Sequence, residues 1–131
     1  MILLDTHVVV WAGIERKRLS RVAESALRRG RSSGGLAIAS ISLWEMASLF
    51  ARGRIETYGT IEASVRQVLE TVGVIVKPIT PEIAVLATQF PESYPRDPAD
   101  RLIGATARAE GIALVTQDER IRRSPLLRTI W

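Results

Sequence analysis

Apolar residues along this chain fall into two kinds of run. The short stretches "ILLD" (2–5), "LAIAS" (36–40), "VIVKPI" (74–79), "IALVT" (112–116) and "LRTIW" (127–131) read as strands, and the apolar ones among them are nearly continuous rather than alternating. Unbroken apolar strands are the mark of a sheet buried on both faces. Between them the spacing turns helical. Leu19, Val22, Ala23, Ala26 and Leu27 share one face of a helix that ends at Gly30, and "SLWEMASLFARG" forms another, opened by Ser42 and Glu45 and stopped at Gly53. A helix over 60–72 closes at Gly73. Thr80–Pro81 and Asp97–Pro98 each place a capping residue before a first-turn proline, starting "PEIAVLATQF" and "PADRLIGATARAEG", with the loop "PESYP" between them. A short helix is expected near 119–123, and "VVVWAG" after the first strand reads as helix or loop. Strands alternating with helices give an α/β class, here a three-layer α/β/α sandwich with a central parallel sheet, built as a single domain over residues 1–131.

In that topology strand C-termini and helix N-termini share one edge, where ligands bind. Asp5 ends the first strand, Glu45 lies in the first turn after the second, Asp100 begins the helix before the fourth, and Asp118 follows that strand. All four acids face this edge. Each has a local alternative: Ser42 and Glu45 match a capping box, Asp100 sits where a helix dipole favours an acid, and Asp118 suits the cap of the short helix. Asp5 has nothing to cap unless "THVVV" is a helix. Together the acids repel one another unless a cation lies between them. Thr6, a hydroxyl beside Asp5, is placed to orient that carboxylate or a water. Asp97 is read first as an N-cap, and His7 as a turn or solvent residue.

Composition narrows the chemistry. There is no cysteine, which removes disulfides, thiolate metal sites and thiol nucleophiles. Hard oxygen ligands then point to Mg²⁺ or Mn²⁺ and to metal-assisted phosphodiester hydrolysis. The net charge is +4 and the basic residues are nearly all arginine, the better phosphate fork. Arg96, Arg101, Arg120, Arg122 and Arg123 lie near the acids in sequence and are candidate holders of a phosphate backbone. No apolar stretch approaches the roughly 20 residues of a membrane span, and the early Asp5 spoils a secretory leader, so a cytoplasmic protein is expected. A phosphorelay receiver lacks its acid pair here, and a haloacid-dehalogenase-type phosphatase would need an acid where His7 stands.

"LLDTHVVVWA", "ISLWEMA", "RDPADRLIGATA" and "LVTQD" together resemble a PIN-domain protein, and within that superfamily the VapC toxins of bacterial toxin–antitoxin pairs. The resemblance runs through the whole chain in order. It implies a Mg²⁺- or Mn²⁺-dependent endoribonuclease whose acidic positions correspond to Asp5, Glu45, Asp100 and Asp118, with Thr6 as the hydroxyl after the first. It also implies a homodimer, a structured RNA substrate such as tRNA, and a VapB-type antitoxin lying over the acidic groove. The helix bearing Met46, Leu49 and Phe50 is expected to offer that partner an exposed apolar face. The alternative is a PIN-type module that binds RNA or protein without catalysis.

Overall fold

The computed structural model describes all 131 residues. Five strands, β1 (Ile2–Leu4), β2 (Leu36–Ala39), β3 (Val74–Lys77), β4 (Leu114–Val115) and β5 (Thr129–Ile130), pair in parallel in the order β3-β2-β1-β4-β5. Leu3 is registered against Ala37 on one side and Leu114 on the other, so β1 is the central strand. The chain builds outward from β1 through β2 to β3, then crosses over to β4. That reversal opens a crevice at the C-terminal end of β1.

The period-two geometry of a strand splits the apolar residues between two cores. Leu4, Leu36, Ile38 and Val115 face α1 (Thr6–Ile14), α2 (Arg21–Ser32) and α4 (Ile61–Val72), packing with Val8, Val9, Leu27, Val68 and Val72. Leu3, Ala37, Ala39 and Leu114 face the opposite layer of α5 (Pro81–Ala87), α6 (Pro98–Glu110) and α7 (Glu119–Arg122). On this second face Ala37 and Ala39 meet Ala105 and Ala107, so small side chains set the approach of α6 to the sheet. The helix α3 (Ile41–Ala51) packs on both α4 and α6 at the margin of the layers. The expected three-layer sandwich is therefore the one observed, and no helix is long and apolar enough to cross a membrane.

Local expectations are settled or changed at three places. Helix α2 runs on to Ser32 through a buried Gly30 that was expected to end it. The segment after Asp5 is a helix, buried on most of its circumference from Val8 to Ala12, although a run of valines is a poor intrinsic helix former. Helix α3 does not offer Met46 and Phe50 to a partner: they are 0% and 4% exposed and belong to the core, with Leu49 packed against it. The apolar side chain that α3 leaves in solvent is Trp44.

Candidate active site

The C-terminal end of β1 opens into a cavity of about 660 Å³ whose walls include Asp5, Glu45, Asp97, Asp100, Asp118 and Glu119. All four acids expected at this edge line it. Asp5 leaves β1 in extended backbone and caps α1, its Oδ1 accepting the amide of Thr6 at 2.8 Å. Its Oδ2 accepts the hydroxyl of the buried Thr116 at 2.7 Å, and Thr116 Oγ1 in turn accepts the amide of Asp118 at 3.1 Å. The carboxylate is thereby fixed at one oxygen by the start of α1 and at the other by the adjoining strand end. Burial pushes its pKa up, opposed by these two hydrogen bonds.

Glu45 is positioned by Thr6. The buried Thr6 hydroxyl donates to Glu45 Oε1 at 2.5 Å, and since it has one proton, Ser42 Oγ must donate in the 2.8 Å contact to Thr6 Oγ1. The capping-box reading of Ser42 and Glu45 is thus set aside: α3 starts at Ile41 without a side-chain cap, and both residues turn inward to Thr6. Burial raises the Glu45 pKa, with further contributions from Asp5 and Asp97.

Asp97 and Asp118 do cap helices. Asp97 Oδ1 accepts the amide of Ala99 at 2.8 Å, and Asp118 Oδ1 accepts those of Arg120 and Ile121 at 2.9 and 3.1 Å. Capping uses one oxygen of each and leaves them on the cavity wall. Asp100, one turn into α6, has no cationic partner and is surrounded by its own kind. Burial and then the charges of Asp5, Asp97, Glu45 and Asp118 push its pKa up to about 7.

Helix α6 is fixed against its preceding loop by two devices. Tyr94, buried and stacked on Phe90 at 4.1 Å between centroids, donates its hydroxyl to the Asp100 carbonyl at 3.1 Å. This approach requires Gly104, where an added Cβ would stand 2.3 Å from Tyr94 Oη. Arg101 turns back and donates to the carbonyls of Pro95, Phe90 and Pro91 at 2.9, 3.1 and 3.3 Å. Its guanidinium, expected to hold phosphate, instead braces the 90–95 loop.

None of the five expected arginines lines the acidic cavity. Arg96 and Arg120 are exposed nearby in sequence, while Arg122 and Arg123 face a separate groove. The arginine on the cavity wall is Arg18, stacked 4.6 Å over the ring of Trp11 and 3.6 Å from Glu15. His7 also lines the cavity, tilted against Trp11 at 5.8 Å. Sequence reasoning missed Arg18 and Thr116. Arg18 has no motif around it, but Thr116 carried a signal: a hydroxyl at the end of a strand beside the one that ends in Asp5.

The donors suit a hard divalent cation: oxygen ligands, like-charged, with raised proton affinities and two of the carboxylates pre-oriented by hydroxyls. As they stand in this structure, no three of these acids are grouped closely enough to hold one ion. Mg²⁺ dehydrates reluctantly and is usually held by one or two carboxylates, keeping several waters and taking substrate phosphates.

The PIN domain model matches residues 2–125. Ribonuclease VapC22 of Mycobacterium tuberculosis is 41% identical, over 99% of this chain and 98% of its own. Among solved structures, VapBC2 from Rickettsia felis bound to a DNA fragment from their promoter gives a TM-score of 0.74 at 19% identity, covering 98% of this chain and 97% of that chain. DNA-bound VapBC from Salmonella typhimurium gives 0.71 at 20% identity, covering 98% and 97%. At such identities these structures bear on the fold alone, which they share throughout. With the family match spanning nearly every residue and the ribonuclease relative aligned end to end, this chain belongs to the PIN-domain family, among its VapC-type members.

Proposed function

We propose that this protein is a Mg²⁺- or Mn²⁺-dependent endoribonuclease that acts as the toxin of a VapBC-type pair and is neutralised by a VapB-type antitoxin. The observation that carries the reading is the convergence of Asp5, Glu45, Asp100 and Asp118 on one cavity, with Asp100 pushed up to about 7 by burial and then by the acids around it. The identity to a ribonuclease over the whole chain supports the same class of reaction.

Asp5, Asp100 and Glu45 would hold the cation, with Asp118 completing or tuning the site. When bound, the cation lowers the pKa of a water and neutralises charge developing on the scissile phosphate. The protein's own part is orientation. Thr116 and the Thr6 amide fix the plane of the Asp5 carboxylate, and the Thr6 hydroxyl fixes Glu45 while itself being aligned by Ser42. The Tyr94 and Arg101 contacts hold the start of α6, and with it Asp100, against the 90–95 loop. Water as nucleophile leaves a 3′-hydroxyl and a 5′-phosphate. The same reading takes the protein as cytoplasmic, as a homodimer, and as acting on structured RNA such as tRNA.

The test is cleavage of total cellular RNA by antitoxin-free protein with Mg²⁺ or Mn²⁺, beside chelator and Asp5→Asn controls. Cleavage lost in both controls is expected, with 5′-phosphate product ends. Ends carrying a 2′,3′-cyclic phosphate would overturn the hydrolytic mechanism, because they need the RNA's own 2′-hydroxyl as nucleophile. RNA bound but never cut would mark a non-catalytic module. For the toxin role, induction of the chain without antitoxin is expected to arrest growth; normal growth with RNA cleavage intact would refute that role alone.

A further inference from the structure

The acidic cavity poses an electrostatic problem for the substrate proposed for it. Its wall carries Asp5, Glu45, Asp97, Asp100, Asp118 and Glu119 against Arg18, so a polyanion gains little there beyond the bound cation. The needed attraction lies next door. A groove of about 720 Å³ between α2, α7 and β5 is lined by Arg29, Arg122 and Arg123, with Trp131 as its aromatic wall. Glu119 lines both cavities, so the two are neighbours on either side of the start of α7. Trp11 of the acidic cavity and Trp131 of the groove stand 6.0 Å apart, ring to ring, behind that junction.

The donors in the groove are largely free. Arg122 has no side-chain partner and Arg29 donates only to Ser25 at 2.8 Å, while Arg123 is held along α7, donating to the Glu119 carbonyl at 3.3 Å and paired with its carboxylate at 3.7 Å. The three come from two elements that are far apart in sequence, brought together by the pairing of β5 at the sheet edge. Guanidinium forks with an aromatic surface between them are the chemistry that holds a single-stranded backbone with a base stacked beside it.

We propose that this groove is the anchoring subsite for the single-stranded RNA flanking the cleaved bond, with Arg29 and Arg122 gripping its phosphates. The inference rests on the ribonuclease reading and gives its substrate a direction, from the acidic cavity past Glu119 towards β5. It makes Arg29 a substrate-binding residue, and it separates Arg122 and Arg123 from Arg101, whose donors are committed to the 90–95 loop.

The experiment is fluorescence anisotropy of a labelled single-stranded oligoribonucleotide in chelator across a salt series, comparing wild type, Arg29→Ala/Arg122→Ala and Arg66→Ala. Arg66, exposed on α4 and paired with Glu62, serves as the control for lost charge elsewhere. Both groove arginines are exposed, and an unchanged melting temperature will show the double variant folded. The double variant is expected to bind about tenfold or more weakly, with a slope of log affinity against log salt shallower by about 1.4, since a single strand contributes roughly 0.7 per phosphate contact. In cleavage assays KM rises while kcat is held. Unchanged affinity and slope in the double variant, with wild type binding RNA, would overturn the groove and leave the nuclease standing. Wild type that neither binds nor cuts RNA would overturn both. A double variant that keeps RNA affinity but no longer associates with antitoxin would make the groove a protein-docking surface instead.

Discussion

At the scale of single residues, the site is a set of carboxylates made uncomfortable first by burial and then by one another. Asp100 has an ordinary value of 3.8 and rises to about 7 in the fold. Between those values the native state holds a proton that the unfolded chain has released, so stability falls as pH rises through that window. Asp100→Asn removes this penalty. Metal-free variant at pH 8 is expected to be more stable than wild type by about 1–2 kcal/mol, after discount for solvent screening of a partly exposed group, and equal to it near pH 4. Chemical denaturation at the two pH values checks it. Thr116→Val keeps the shape of the strand end and removes the donor to Asp5 Oδ2. It is expected to lower cleavage by about 1.5–3 kcal/mol of transition-state stabilisation, roughly ten- to hundredfold, with Thr116→Ser retaining most activity. The acids were legible in the sequence because a charge at the end of a buried strand has few structural uses. Their hydroxyl partners were less so: Ser42 and Glu45 fit a helix start so well that their shared turn towards Thr6 was hidden.

At the scale of elements, the legible parts were those with local punctuation. Thr80–Pro81, Asp97–Pro98 and the glycines at 73 and 111 mark real caps and stops, with the two glycines at φ +77° and +64°. The helix after Asp5 had no such signal. Its apolar residues run all round, so no period stands out, and burial between sheet and helices overrides the poor propensity of valine. Its existence also explains why Asp5 both caps and lines a cavity. The start of α6 yields two predictions. Gly104→Ala drives a methyl into the Tyr94 hydroxyl and is expected to destabilise by about 1–3 kcal/mol, with partial rescue by Tyr94→Phe, which removes the clashing oxygen. A double-mutant cycle by chemical denaturation measures that coupling. Arg101→Lys keeps the charge but lacks the fork that spans three carbonyls. It is expected to destabilise nearly as much as Arg101→Ala, by about 1–3 kcal/mol; a lysine variant of wild-type stability would return Arg101 to the phosphate.

At the scale of the whole molecule, sequence order and charge distribution act together. The reversal at β1 puts Asp5 between the ends of both neighbouring strands, which is why acids from four separate segments meet. The arginine distribution was not legible, since it depends on which helix packs beside β5 rather than on nearness in the chain. Cation binding should be visible in the stability of the entire fold. At a Mn²⁺ concentration of 100 times Kd the gain at pH 8 is about 2.7 kcal/mol, and it shrinks below pH 7 as protons compete for Asp100. Melting temperature against Mn²⁺ at pH 8 and pH 5.5 measures it; equal shifts at both would refute proton competition.

The mutual repulsion of these carboxylates also shapes how the protein fails. Under the proposed reading, an Asp100 change that disarms the site is also expected to relieve the burial and repulsion of that carboxylate in the folded chain, leaving inert copies that persist. Under the proposed toxin role, a population selected for survival is expected to retain such copies as abundant, intact protein. An acid-to-amide change there keeps the size of the side chain, so an antitoxin lying over the groove is expected still to bind. Disarmed copies then become decoys, drawing antitoxin away from active ones made beside them, and a single acid-to-amide change would be both harmless to its carrier and dominant in its effect.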